Sequence, residues 1–343
     1  VTDSTRRTIR KAVITGGAGF IGSHLADALV AQGVAVVAVD NLANGSAENL
    51  AQAAASGLCT LRRADITDFD AIRPHFEGAD TVFHLAGLAD IVPSVENPRP
   101  YLRVNVDGTV NVLEAARHAG AQRLVYAASS SCYGIPDVFP TPETAELRPQ
   151  YPYALSKRLA EDCVLHWGRV YGMQANSLRL FNVYGPRAQT RGAYGGVFKV
   201  FLPQLLAGRP LTIVGDGTQV RDFVHVHDVA RAFVLAATSP CHGEVFNVGS
   251  GEPQSVNRLA ELLGGEREHL PKRPGEPDAT WADIGRITRL LGWRAEIGFE
   301  EGVAQMLARI EDYREAILWD AEGIAGATRA WFDNLGRGHD TRA

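Results

Sequence analysis

The chain has 343 residues, 45% of them hydrophobic and 21% charged, with a formal net charge of −5. This composition is ordinary for a globular enzyme, and the length suffices for one large domain or two modest ones with ample apolar core. The negative balance argues against nucleic acid as a partner, since phosphate backbones need concentrated positive potential, and no run approaches the ~18 uninterrupted apolar residues of a membrane helix.

In chain order, the polar and basic start Val1–Lys11 lacks the apolar segment of a signal peptide. The apolar run Ala12–Thr15 leads into Gly16-Gly17-Ala18-Gly19-Phe20-Ile21-Gly22 and then a helical pattern through His24, Leu25, Ala28 and Leu29. A strand, a glycine turn and a helix in that order present backbone N–H groups at a helix N-terminus, a ready seat for a pyrophosphate. Gly16 permits the turn, Gly19 lets phosphate approach the backbone, and Gly22 allows close helix–strand packing. The run Val34–Val39 follows as a second strand and ends at Asp40, eighteen residues after Gly22. A carboxylate there accepts both hydroxyls of an adenosine ribose and repels a 2′-phosphate, so NAD is expected rather than NADP.

Further strand-length runs at Thr60–Arg62, Thr81–Ala86 and Arg123–Ala127 alternate with helical patterns. Such alternation predicts a doubly wound α/β fold whose ligands sit beyond the strand C-termini. Asp65-Ile66 after the third run suits an adenine amino group and ring face, and His84-Leu85-Ala86-Gly87 after the fourth brings small residues to the cofactor. His84 lies within its strand run and is read as a structural histidine. Long helices are expected over Pro100–Ala119 and Ala154–Tyr171. They either cover the sheet or also pair with their copies across a two-fold axis.

The fifth strand runs into Ser129-Ser130-Ser131-Cys132, and Tyr153 and Lys157 stand four apart at the start of the second long helix, on one face. A tyrosine of pKa near ~10 is a poor base at neutral pH, but a nearby lysine cation favours its phenolate. That phenolate can take a proton from a substrate hydroxyl while hydride leaves the same carbon for a nicotinamide, with Ser129 hydrogen-bonded to the oxygen. Cys132 is read as strand-end packing, and the cysteines Cys59, Cys132, Cys163 and Cys241, with no CxxC pair, predict neither a metal site nor disulfides but reduced thiols in a cytoplasmic protein.

Together these motifs resemble the extended short-chain dehydrogenase/reductase family, within it the nucleotide-sugar epimerases and dehydratases of the UDP-glucose 4-epimerase type. The resemblance runs over about residues 11 to 300, through Thr15–Gly22, Asp40-Asn41-Leu42, Asn105–Thr109, Tyr153-x-x-x-Lys157, Arg179–Arg187 and Gly215–Val226. It implies Ser129, Tyr153 and Lys157 as the catalytic set. It implies NAD contacts at Gly16, Gly19, Phe20, Ile21, Gly22, Asp40, Asn41, Asn44, Asp65, Ile66, Leu85, Ala86, Gly87 and Asn105, with Tyr153 and Lys157 at the nicotinamide end. Asn182, Arg221 and Arg273 match positions that hold the substrate diphosphate, with a salt bridge from Arg221 to Asp222 or another carboxylate as the alternative. Thr280 matches a wall position near the sugar's C2 substituent and leaves room for a larger group.

Dehydratases of the family carry Asp-Glu directly after the catalytic hydroxyl residue, and decarboxylases a Glu at the second position; Ser130 and Ser131 stand here. The resemblance therefore implies a 4-epimerase working through a 4-keto sugar, uridine being the default base. The alternatives are a C4 dehydrogenase or 4-keto reductase and, in another class, a non-catalytic dinucleotide sensor or scaffold. Tyr151 replaces the usual Ser or Thr before the catalytic tyrosine. The expected layout is an NAD-binding domain over 1–176, rejoined near 223–238, and a smaller mixed α/β sugar-binding domain over 177–343. A mobile loop is expected at Pro186–Gly196, and a helical tail carries Leu318, Ile324, Ala327, Trp331, Phe332 and Leu335. A nucleotide sugar and a second copy of the chain are the expected partners.

Overall fold

A computed structural model describes residues 7–190 and 192–335; the first residues of the basic start, Arg191 of the 186–196 loop and the last eight residues lie outside them. The strands are β1 (Lys11–Thr15), β2 (Ala35–Asp40), β3 (Cys59–Arg63), β4 (Thr81–His84), β5 (Arg123–Ser129), β6 (Gln174–Leu180) and β7 (Asn182–Tyr184). They continue as β8 (Leu211–Val214), β9 (Val220–Arg221), β10 (Phe223–His225), β11 (Val245–Val248), β12 (Gln254–Ser255) and β13 (Arg267–Leu270). Seven of them form one parallel sheet in the order β11-β6-β5-β4-β1-β2-β3. This is the doubly wound fold expected, with the order reversing between β1 and β4.

Both faces of the sheet are covered, so its strands are apolar on both sides. Ala12 and Ile14 of β1 join one core with Leu25, Phe233 and Trp293, while Val13 joins the other with Ile72, Leu113 and Val164. A third core, around Phe201, Ile213, Leu259 and Met306, belongs to the smaller unit built from the later chain.

Several boundaries differ from expectation. β4 ends at His84, and Leu85–Gly87 form the loop beyond it. β6 and β11 carry polar residues, Asn176, Ser177, Arg179 and Asn247, that are buried and paired inside the protein, which hides the strands from a reading by hydrophobicity. Position 176 consequently falls inside β6, and besides the helix Val226–Thr238 of the 223–238 return, the large core takes the helix Gly285–Leu291, which lies outside it. Phe223–His225 pairs with β7 rather than with the main sheet. The first long helix begins at Pro98 and passes through a π-helical turn at Arg103–Asp107 before continuing to His118. The second spans Pro152–Tyr171, with Pro152 at its first turn and left-handed Gly172 (φ 72°) ending it. Within the tail, Ile324 and Trp331 are buried while Leu318 and Phe332 are exposed.

Candidate active site

At the C-terminal end of β1 the glycine loop is shaped by contacts that leave no room for side chains. A Cβ on Gly16 (φ 71°) would lie 2.7 Å from the Ala86 nitrogen, and one on Gly22 would lie 2.2 Å from the Gly16 oxygen. Phe20 and Ile21 open the helix Phe20–Val30 directly above, where the first-turn N–H groups have no intrahelical acceptors. Asp40 is nearly buried beside this loop, accepting N–H bonds from Ala18 at 3.0 Å and Leu42 at 2.8 Å. Burial raises its carboxyl pKa, and those two donors oppose the rise. Asn41 donates to Asp65 at 2.9 Å, tying the ends of β2 and β3 together, and buried Ile66 packs where Gly108 has no side chain. Asn44 accepts from Gln189 of the 186–196 loop. A concave glycine loop at a helix N-terminus with a carboxylate at the end of β2 fits the pyrophosphate and adenosine ribose of NAD.

Leu85 and Ala86 donate N–H bonds to Thr15, at 3.0 Å to its carbonyl and 3.4 Å to its hydroxyl. Behind them runs a buried relay: Thr15 Oγ1 to His84 Nδ1 at 2.7 Å, His84 Nε2 to Thr109 Oγ1 at 2.8 Å, and Thr109 to the Asn105 carbonyl at 2.5 Å. Because Thr109 donates onward, His84 carries its proton on Nε2 and accepts at Nδ1. Burial drives the His84 pKa down to about 3, so it is a neutral structural group. The Asn105 amide clamps Leu88 and Ser156, at 2.8 to 3.0 Å. Its bonds therefore hold the loop beyond Gly87 against the second long helix.

Ser129 at the tip of β5 and Tyr153 on that helix line one cavity of about 530 Å³. Burial raises the phenol pKa of Tyr153, while hydrogen bonds with Ser129 and Ser131 lower it; the two serine hydroxyls are themselves 2.8 Å apart. Lys157 is buried, its Nζ 4.3 Å over the ring of Tyr126, and burial pushes its pKa down to about 7 against the opposing charge of Glu161. In this structure the serines, more than the lysine, favour the phenolate. Cys132 is buried in an apolar cluster, its thiol pushed up to about 12.

Asn182, Thr280, Arg221 and Arg273 line the same cavity. Thr280 donates to the Asn182 side chain at 2.8 Å. Arg221 pairs with Glu276 at 2.8 Å and Arg273 approaches the same carboxylate at 3.5 Å. Asp222 points inward instead and accepts from the backbone of Ser250, Gly251 and Ala282. Arg221 thus takes the alternative left open by the sequence, a salt bridge to a carboxylate, with Glu276 rather than Asp222 as its partner and with Arg273 converging on the same group. Tyr194, not singled out from the sequence, also contributes, hydrogen-bonded to and stacked by Arg273, and Tyr151, the departure already seen in the sequence, lies with its ring parallel to that of Tyr153 at 6.4 Å. Tyr194 sits in an aperiodic loop that offers no sequence signal.

Among known proteins, UDP-glucose 4-epimerase of Mycolicibacterium smegmatis is 38% identical over 304 residues, covering 86% of this chain and 96% of its own. The crystal structure of UDP-glucose 4-epimerase from Thermotoga maritima with UDP-glucose superposes with a TM-score of 0.83 at 34% identity, covering 89% of this chain and all of that one. The Thermus thermophilus UDP-glucose 4-epimerase complex with NAD gives 0.79 at 36% identity, over 90% and 100% of the two chains. The family model matches residues 12–249, through the sheet and its loops, and the chain belongs to the NAD-dependent epimerase/dehydratase family.

Proposed function

We propose that the protein is an NAD-dependent 4-epimerase of a nucleotide sugar, with uridine as the base. The observation that carries this reading is one cavity lined both by Ser129 and Tyr153 and by the arginine pair Arg221 and Arg273, with serines at 130 and 131. Bound NAD supplies a hydride acceptor that also returns the hydride, so the overall reaction is redox neutral. Tyr153 takes the proton of the sugar's 4-hydroxyl as the C4–H bond breaks, and gives it back when the 4-keto group is reduced from the other face. Ser129 hydrogen-bonds that oxygen throughout. Lys157, when charged, would favour the phenolate and would hold the nicotinamide ribose of the bound cofactor. Arg221, Arg273 and Asn182 hold the diphosphate while the sugar turns, and Glu276 gives way to the incoming anion. Serines cannot supply the acid and base needed to eliminate water, which supports epimerisation over dehydration. Thr280 is small enough to admit an N-acetylated or otherwise enlarged sugar.

In this reading the sheet unit holds the cofactor and the unit built mainly after β6 holds the sugar. Leu102, Leu155 and Leu159 are exposed on adjoining helices and supply an apolar face for a second copy of the chain. Four unpaired cysteines suit a reducing cytoplasm, and no helix among the described residues is long and apolar enough to cross a membrane.

Incubation with UDP-, GDP-, CDP- and dTDP-sugars, without added reductant, tests the assignment. A C4 epimer without accumulating NADH is the expected product. Stoichiometric NADH with a keto sugar would move the protein to the C4 dehydrogenases.

A further inference from the structure

We infer that the C-terminal tail builds part of the sugar subsite, with Trp331 and Tyr151 forming an apolar wall against the C–H face of the hexopyranose ring. The inference rests on the nucleotide-sugar reading of the cavity.

Trp331 lies far beyond residue 249, where the family match ends, yet it is 4% exposed and lines the same cavity as Ser129 and Tyr153. Its ring is 5.9 Å from that of Tyr151, and Tyr151 stacks parallel to Tyr153. On the other side the indole N–H donates to the Pro274 carbonyl at 2.7 Å, next to Arg273. A continuous line of contacts therefore runs from the proton-transfer residue through Tyr151 and Trp331 to the arginine pair. A sugar carried on a diphosphate has to lie along that line.

The chemistry of the wall follows from what its polar tips are doing. The indole N–H is committed to Pro274, and the Tyr151 hydroxyl is hydrogen-bonded with Ser131. Ring surface is what remains for the ligand, which suits C–H groups. Such a surface grips no hydroxyl, so it packs a hexose in either orientation about its diphosphate and keeps water from the keto intermediate.

The tail is anchored independently of any ligand. Trp319 packs edge-on to Tyr194 at 5.5 Å and its carbonyl accepts from Gln204 at 2.6 Å. Asp320 caps the helix Ala321–Ala327 through the Gly323 N–H at 2.7 Å, and buried Thr328 bonds the Ile324 carbonyl at the same distance. The helix Arg329–Leu335, which carries Trp331, then packs against the helix Ile91–Glu96, whose first residues also line the cavity.

Calorimetric titration of the NAD-loaded enzyme with UDP and with UDP-glucose and UDP-N-acetylglucosamine separates the wall from the diphosphate site. Trp331→Ala is expected to bind UDP within twofold of wild type but the UDP-sugars about tenfold more weakly. Trp331→Phe, which keeps a ring and loses the N–H, should show a smaller loss confined to the sugars, and carries the test if the alanine variant does not fold. Equal loss for UDP and UDP-sugars would mean that the tail acts only through Arg273 and would overturn the wall. Unchanged UDP-sugar binding would overturn it too. A wild-type enzyme that binds UDP-sugars no better than buffer controls overturns the nucleotide-sugar reading itself, and the wall with it.

Discussion

Tyr153 has to surrender its proton at neutral pH from a position whose burial resists ionisation, and the groups that help it most are the hydroxyls of Ser129 and Ser131. Tyr153→Phe should keep the fold and NAD binding while lowering kcat by about 10² to 10⁴; near-normal turnover would remove the tyrosine from the catalytic role. Ser131→Ala removes a hydrogen bond to the phenolate, so the tyrosine's pKa rises. The limb of the pH–rate profile that climbs with pH should then move to higher pH. An unmoved limb would show that Ser131 does not act on the base. Lys157 supplies a test without substrate. Burial takes its pKa from 10.5 to about 7. Between those values the unfolded chain holds the proton that the folded, NAD-free protein has lost. The contribution of Lys157 to stability is therefore lowest at and below pH 7 and rises as the pH climbs toward 10.5. Urea unfolding across this range should show wild type gaining stability relative to Lys157→Met as the pH rises, and a constant difference would mean that Lys157 keeps its ordinary pKa. At this scale the residue types were readable from the sequence, because Tyr and Lys four apart on a helix share a face wherever the helix lies. That Lys157 rests over Tyr126, and that Asn105 holds a loop, depends on neighbours distant in sequence.

The helix Pro152–Tyr171 carries two such residues and is held in register from behind. Glu161, one turn past Lys157, accepts from Arg179 at 2.6 Å and from Ser177 at 2.7 Å, both on β6, and both members of the ion pair are buried. Arg179 reaches on to the Tyr133 hydroxyl at 2.9 Å, and Tyr133 donates to Asn247 of β11 at 2.7 Å. Glu161→Ala would strand a buried guanidinium and should cost about 3–5 kcal/mol in denaturant unfolding. The double replacement Glu161→Met with Arg179→Met should cost less, since no charge is left unpaired; a larger loss would mean that the pair itself stabilises the fold. The helix was legible from its apolar spacing. β6 and β11 were not, because their polar residues are satisfied by partners on other elements. The π-turn at 103–107 likewise leaves no mark in the periodicity of its helix.

For the whole molecule, the exposed leucines on the long helices bear on assembly. Leu155→Glu together with Leu159→Glu should convert a dimer to monomers in light scattering, with little loss of monomer stability, as both side chains are over a third exposed. A wild-type monomer at micromolar concentration would overturn the proposed pairing. The local sequence determined the glycine loop, the carboxylate at the end of β2, the strand–helix alternation and the Tyr–Lys pair, because each depends on backbone geometry within a few residues. The doubly wound fold followed from that alternation. Only the tertiary structure decided that Glu276 faces two arginines, that Asp222 turns inward, and that Trp331 meets the cavity from the far end of the chain. Those outcomes are contacts between residues tens to hundreds of positions apart, and they are settled by which buried polar groups find partners and which apolar surfaces close on each other.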